Sequence, residues 1–472
     1  PEEIADKLNA VGLEVEDLYN PILPIAAKIV ECKPHENSDH LHVLMVDDGT
    51  GILRQVVCGA PNVHVGMVSA LAIPGCKIGD MVIQSGKLRG VLSDGMMCSG
   101  KELGINDDHS GIIELDEKQE IIGQPISALS GSASAILETS ITPNRPDYLS
   151  VRGIALDLSA AGAGDFIDEK INELKEVKGT RKVNLLAPEA CPTYRFCEIH
   201  GIKNAPSNKT IQSRLLSAGI NPKNAPVDAT NYICYDLAQP MHCFDADEVK
   251  GDITVRMAKP KEKFTDLFDT EHELCDKDLV ITDDAGILAL AGVIGGKRAS
   301  TTDNTKNIIL ESAYFNPVSV RKSSKRHGVS TDSSYRYERN INPDGTLHAL
   351  SKAAKIIMDT CGGKIVNVSV AGRASYTPES VVYSPSIFEK KTGIKLDAKT
   401  QKDILLKLHF EIKEDKKGNW IITPNPQRTD VVMPENIVSE LVRIYGYEKI
   451  GLKEMPQNTM NVVHKDMNVS LK

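Results

Sequence analysis

Glu311 is the residue whose setting says most about chemistry. It follows the apolar run Ile308-Ile309-Leu310 and precedes Ser312-Ala313, a pattern that places its carboxylate inside the protein. A buried carboxylate without a partner is costly, so either a cation pairs with it or a ligand donates a hydrogen bond to it. The first reading is a structural ion pair; the second makes Glu311 a selector. Upstream stand Thr230-Asn231-Tyr232 and Gln239-Pro240-Met241-His242-Cys243-Phe244-Asp245. A histidine beside proline and phenylalanine is commonly a satisfied, partly buried side chain, yet an unperturbed pKa of roughly 6.5 also permits general-base work. Between these segments and Glu311 lies a small-residue strand and turn, Ala289-Leu290-Ala291-Gly292-Val293-Ile294-Gly295-Gly296. It lets a ligand approach the backbone closely, as glycine turns also do without any ligand.

Cationic side chains form two further groups. Arg321-Lys322-Ser323-Ser324-Lys325-Arg326-His327-Gly328, with Arg336 and Arg339 beyond it, is the better phosphate-binding candidate. Its alternative is a solvated, serine-rich loop with local salt bridges. Tyr335 and Tyr337 read as packing residues. The other group, Lys87, Arg89 and Lys101, reads either as phosphate contacts or as a solvated face.

These residues need several elements to position them. At 472 residues the chain exceeds what one core serves, and about three or four domains are expected. Hydrophobic residues at 41% and charged residues at 25% describe an ordinary globular protein, and no apolar run approaches the roughly 20 residues of a spanning helix. The acidic start Pro1-Glu2-Glu3-Ile4 is unlike a secretory signal. Ten cysteines stand singly, without a Cys-x-x-Cys pair, and read as reduced, buried thiols. A net charge of -9 argues against indiscriminate nucleic-acid binding, though not against local basic patches.

Along the chain, Glu2 to Ala10 predicts a helix stopped by Gly12. From Ile22 to Ile126, short β-rich runs such as Leu41 to Val46, Gln55 to Cys58, Val68 to Ile73 and Gly111 to Leu115 predict a small barrel. Val151 to Ala161 returns to helix, with Val151, Ile154, Leu158 and Ala161 facing the opening segment, so the barrel is an insertion. Asp165 to Lys182 is a charged linker or exposed helix. A mixed α/β region follows to Val370, with strands at Ile253 to Met257, Leu279 to Ile281 and Ile308 to Leu310 and a helix from Thr346 to Cys361. Residues 379 to 450 alternate strand and helix, with stripes at Ile404, Leu405, Leu408 and at Ile437, Val438, Leu441, Ile444, Tyr445.

Three stretches, Pro34 to Asp39, Val57 to Asn62 and Lys87 to Ser99, together resemble the barrel that adds a nonspecific tRNA-binding surface to several synthetases. With Thr230 to Asp245, the Gly292 turn, Glu311 and the Arg321 to Gly328 run, the whole chain resembles the β subunit of bacterial phenylalanyl-tRNA synthetase. The resemblance implies a multidomain α+β protein. A helical domain (1–20 and 138–185) would be interrupted by an OB-fold tRNA-binding domain (21–137). A mixed α/β B3/B4 editing domain (186–376), a small winged-helix-like B5 domain (377–452) and the start of a linker or further domain (453–472) would follow. Since members of the family extend beyond this point, the chain is read as a fragment.

The resemblance also implies chemistry: hydrolysis of mischarged Tyr-tRNA(Phe) in a pocket lined by Thr230, Asn231, His242, Ala291, Gly292 and Glu311. Glu311 would accept the tyrosine phenol hydrogen, Gly292 would leave room beside the ring, and Thr230 and Asn231 would hold the amino group or ribose. His242 would orient the terminal adenosine or the attacking water, or act as base; positioning is the favoured role. Lys87, Arg89, Lys101, Arg321, Lys325 and Arg326 would contact tRNA. Phenylalanine activation with ATP would belong to a separate α subunit, in a cytoplasmic tetramer of two α and two β subunits, away from membranes. Relatives carry four acidic residues for a Mg²⁺ ion; the matching positions are Asp430, Asn436, Ser439 and Glu440. With two carboxylates replaced, a site for this hard cation is expected to be weak or absent. The rival reading is a noncatalytic RNA-binding and assembly module with an inactive pocket.

Overall fold

The computed structural model describes residues 1–19, 22–78, 81–103, 108–115, 121–126, 135–373 and 375–451. The expected start of a further segment at 453–472 lies outside them. The protein is mixed α+β, and its central part is layered. An antiparallel four-stranded sheet has the order Met241–Asp245, Asn307–Tyr314, Thr193–His200, Lys364–Gly372. Its strands alternate buried residues between two faces, as the period of two requires. Tyr194, Phe196, Phe244, Ile309 and Ala313 belong to one core, Cys197, Cys243, Ile308 and Leu310 to another.

The first core is completed by a five-stranded sheet, Val183–Leu185, Ile253–Met257, Leu279–Asp283, Gly286–Leu290, Ile294–Gly295, in that order. The second is completed by two helices, Ala225–Leu237 and Thr346–Cys361. The latter buries Ala349, Leu350, Ala353, Ala354 and Ile357, a continuous helical stripe, and stops where Gly362 and Gly363 take φ of +68° and +99°. The central sheet is thus covered on both faces, and any polar group on it must find a partner inside.

At the start of the chain, helix Glu2–Ala10 leads into strand Glu14–Tyr19, which pairs antiparallel with Ile136–Ser140. Between the two strands a five-stranded sheet has the order Met96–Met97, Val68–Ala72, Ile25–Pro34, His42–Asp47, Leu53–Cys58. Residues 111–115, expected as a strand, are not one. Ile113 N donates to Cys98 O (2.9 Å) and Leu115 N to Val68 O (2.8 Å), two different partners, so no ladder forms. Helix Val151–Ala160 sends Ile154 and Leu158 toward Leu8, Leu13 and Tyr148 as expected, but Val151 is 62% exposed. The helix has a second partner, which buries Leu156, Asp157 and Ala160 instead. Asp165 to Lys182 forms no α-helix; it is strapped down where Leu174 N donates to Ser351 Oγ (3.0 Å) and Val177 pairs with Val368.

The last unit sets helices Ser386–Thr392, Ala398–Lys407 and Pro434–Tyr445 on a three-stranded sheet, Val381–Tyr383, Trp420–Thr423, Glu411–Glu414. Ile404, Leu405, Leu408, Ile437, Val438 and Leu441 are buried in its core, with Ile444 and Tyr445 at the margin. All ten cysteines are unpaired, eight of them buried. Among the described residues no helix is long and apolar enough to cross a membrane.

Candidate functional site

Strand register puts His242 and Phe196 directly opposite Glu311 on its two neighbouring strands. Directly opposed residues share a sheet face, so all three project toward the five-stranded sheet. Glu311 is only 5% exposed, and its Oε2 is sealed with no hydrogen-bond partner. Burial pushes its pKa up to about 8, and no cation stands beside it to bring it back. Of the two readings of a buried carboxylate, the structural ion pair is therefore excluded. The Tyr194 hydroxyl lies close enough to favour the charged form, but it closes no hydrogen bond of ordinary geometry and is itself buried without a partner.

His242 presses its ring against Gly295, where an added Cβ would lie 2.9 Å from Nε2, and meets Phe244 edge to face at 4.5 Å. Its Nε2 is also sealed and unpartnered, and burial pulls its pKa down to about 4. At neutral pH the ring is uncharged and a weak base, better suited to holding a group in place than to taking a proton. Gln239 anchors the adjoining turn: Nε2 donates to Ala313 O (2.9 Å) and Pro240 O (3.1 Å), while Oε1 is buried without a partner. Sequence reasoning passed over Tyr194 and Gln239. The pairing of Thr193–His200 with Asn307–Tyr314 reveals the first, and only the fold reveals the second.

Ala291 and Gly292 lie on the turn of the facing sheet. Gly292 has φ +71°, and a Cβ there would meet Val320 at 2.9 Å, Phe315 at 3.0 Å and Tyr337 at 3.3 Å. Its missing side chain thus faces packed core; the glycine that gives way to a ring of the site is Gly295. Thr230 and Asn231 belong to helix Ala225–Leu237, in the layer covering the sheet's other face. The Thr230 hydroxyl donates to Val227 O (2.8 Å), within its own helix. The fold therefore joins Glu311 with His242 and leaves Thr230 and Asn231 in the adjoining layer. A cleft of about 550 Å³, lined by Arg152, Asp168, His348 and His409 among others, lies elsewhere.

The cationic candidates divide similarly. Lys87 and Arg89 stand exposed on a hairpin, Gly86–Leu88 with Val91–Ser93, whose turn residues Arg89 and Gly90 have φ +48° and +94°. A two-residue hairpin turn commonly needs such positive φ values, and Arg89 donates to Asn37 O (2.9 Å). Lys101, Arg321 and Lys325 are exposed as well. Arg326 is exposed as well, but its guanidinium is held inward by an ion pair with the fully buried Asp278, which also accepts from Ser323 Oγ (2.7 Å) and lies 3.0 Å from His327 Nε2. Arg336 is buried, donating to Cys234 O (3.1 Å) and Asp332 (2.8 Å), and Arg339 lies 3.4 Å over the Tyr335 ring. In RNA-binding titrations at varied salt, Lys325→Ala is expected to reduce the log–log salt slope by about 1. Arg326→Ala is expected to lower the melting temperature and leave that slope unchanged.

The expected magnesium positions do not fit a divalent cation. Asp430 accepts from Arg428 at 2.8 and 2.9 Å, and Glu440 accepts from Arg428 at 2.7 Å and Arg443 at 2.9 Å. Burial opposes the charge on Glu440, but Arg443 and Arg428 outweigh it and hold the pKa well below the usual carboxylate range. Asn436 spends its Oδ1 on the backbone of Met433 (3.0 Å) and Val432 (3.2 Å). Ser439 points to an exposed position. Among the described residues no cluster of three or more His, Cys, Asp or Glu side chains could hold a metal.

Three family models match the chain: the B3/4 domain over residues 190–362, the putative tRNA binding domain over 25–123 and the tRNA synthetase B5 domain over 381–447. The phenylalanine-tRNA ligase beta subunit of Mesorhizobium japonicum is 36% identical over 457 residues, covering 95% of this chain and 57% of that one. Its counterpart in Rhodopseudomonas palustris is 37% identical over 459 residues, covering 96% and 57%. The chain thus spans 57% of the length of these relatives. An N-terminal fragment of the phenylalanyl-tRNA synthetase beta subunit from Pyrococcus horikoshii is 17% identical, with a TM-score of 0.37 over 66% of this chain and 86% of that one, too low to bear on the fold.

Proposed function

The chain belongs to the phenylalanine-tRNA ligase beta-subunit family, and on that premise we propose that it binds tRNA(Phe) and hydrolyses Tyr-tRNA(Phe) formed in error. The observation that carries this reading is the buried Glu311 carboxyl, facing His242 with one oxygen sealed and unpartnered. Phenylalanine and tyrosine differ by one hydroxyl, and a site that must hydrogen-bond that hydroxyl rejects the analogue lacking it. A phenol entering the site donates to Glu311. A hydrogen bond to the neutral carboxyl contributes roughly 0.5–1.5 kcal/mol and one to its charged form, reached as pH approaches 8, roughly 1.5–3 kcal/mol, whereas phenylalanine leaves the carboxyl desolvated and unpaired.

In this reading neutral His242 positions the terminal adenosine or the attacking water. Thr230 and Asn231 reach the ribose or amino group from the helix layer, which requires Thr230 to release Val227 O. The tRNA-binding unit is the OB-type barrel expected over 21–137, of which 22–78, 81–103, 108–115, 121–126 and 135–137 are described, inserted in the helical domain expected over 1–20 and 138–185, and it presents Lys87, Arg89 and Lys101 to tRNA. Residues 186–376 form the editing domain, and 377–452 a winged-helix-like unit. Phenylalanine activation with ATP falls to a separate α subunit, in a cytoplasmic tetramer of two α and two β subunits. No step is assigned to magnesium at Asp430 and Glu440.

The test is hydrolysis of Tyr-tRNA(Phe) and Phe-tRNA(Phe) by the wild-type chain and by Glu311→Ala, at substrate levels that offset weak binding. Selective release of tyrosine, relaxed by about 10-fold or more in the variant, is the expected result. Binding of tRNA without hydrolysis of either ester would reduce the chain to an RNA-binding and assembly module.

A further inference from the structure

Tyr194 lies two residues along its strand from Phe196, the cross-strand neighbour of Glu311. It therefore projects from the same sheet face, one diagonal step from the carboxyl, within reach of a long side chain. Its ring is wholly buried in the core between the sheets, and its hydroxyl has no hydrogen-bond partner. The sealed oxygen of Glu311 has none either. Two groups that could satisfy each other thus stand side by side, stripped of water, without doing so. Each such orphan costs about 1–3 kcal/mol, which a folded protein ordinarily avoids by pairing them.

A third group inserted between them, able to donate and accept at once, satisfies both. A phenol hydroxyl has that chemistry: its hydrogen goes to Glu311 and its oxygen accepts the Tyr194 hydrogen. The benzyl ring of phenylalanine offers neither. His242 and Gly295 stand on the edge strands of the two sheets and are half-buried, and Glu311 keeps a small exposed fraction, so this is the least covered side of the two groups. We propose that Tyr194 is a second specificity-determining residue of this site, donating a hydrogen bond to the substrate's phenol oxygen while Glu311 accepts the phenol hydrogen. The proposal rests on the editing reading above.

Tyr194→Phe keeps the ring and removes one orphaned hydroxyl, so the variant should fold with an undiminished melting temperature. In the full-length chain assembled with its partner subunit, kcat/KM is measured for tRNA(Phe) charged with tyrosine, phenylalanine or 4-aminophenylalanine. The preference for tyrosine over phenylalanine is expected to fall about 3- to 10-fold, the contribution of one neutral hydrogen bond. The preference for 4-aminophenylalanine over phenylalanine should hold, because the amine donates to Glu311 and its nitrogen is a poor acceptor for Tyr194. A merely structural role would lower all three substrates together and move neither ratio. Wild-type selectivity with an unchanged tyrosine preference in Tyr194→Phe overturns this proposal alone. A wild-type enzyme that does not select tyrosine overturns the editing reading and this proposal with it.

Discussion

Arg443→Ala is expected to destabilise the protein by about 3–5 kcal/mol, the usual cost of removing one member of a buried charge cluster. Arg443 donates to Asp157 (3.1 Å) and Glu440 (2.9 Å), and Arg145 donates to Asp147 and Asp157 at 2.6–2.9 Å from the other side. Without Arg443 the two carboxylates it bridges stay in the interior with half their compensation. Burial raises the pKa of Asp157, yet Arg443 and Arg145 more than reverse this, and Glu440 behaves likewise. Both folded pKa values are depressed, so this stability is fully present above the unfolded values of about 4 and is lost as the pH falls through the folded ones. Denaturant midpoints across pH should show the largest gap between wild type and variant near neutrality, closing in acid. A gap below about 1 kcal/mol at neutral pH, in the range of an exposed pair, would mean that water reaches the cluster.

The opposite sign is expected at Glu311. Its folded pKa of about 8 lies above the unfolded value of about 4.3, so the folded chain keeps a proton that the unfolded chain loses. The associated stability is complete below that unfolded value and lost as pH rises through 8. Glutamine cannot ionise, and Glu311→Gln should therefore gain on wild type across this window, by an amount on the order of a few kcal/mol at its upper end. Tyrosine preference in hydrolysis should fall about 10-fold at the same time, since a neutral acceptor replaces one that can carry charge. In the wild type that preference should grow as pH approaches 8. Thermal melts at several pH values decide the first point. A variant that melts below wild type at pH 8 would show that the carboxyl is ionised and partnered after all. The stability withheld here is of the kind that binding sites commonly forgo.

How much was legible depended on how local the cause was. The run Ile308 to Leu310 predicts a buried Glu311 because three successive apolar residues put both faces of the strand inside. Helix Thr346–Cys361 follows from its own apolar stripe and the paired glycines. The charged run around Arg326 says nothing of Asp278, 48 residues earlier, which holds its guanidinium. Val151 looked buried because a second partner for its helix, far along the chain, was not visible. The resemblance makes Gly292 room for a ligand, whereas its φ and its neighbours Val320, Phe315 and Tyr337 already demand glycine. The family resemblance supplied Thr230, Asn231, His242 and Glu311 as one set, but it could not say that two belong to a helix layer and two to a sheet. Tyr194 needed the register between distant strands, which composition cannot provide.

The charge cluster around Arg443 also imposes an order in time. Asp157 precedes Arg443 by 286 residues, so at roughly 5–20 residues per second of synthesis it waits about 15–60 s for its partner. Throughout that interval Asp157 has to remain hydrated, and the face of helix Val151–Ala160 that carries Leu156 and Ala160 cannot close. The early helical segment is thus a clasp whose catch arrives last. A ribosome stalled before Arg443 would carry a nascent chain with its central four-stranded sheet already assembled and that clasp still undone.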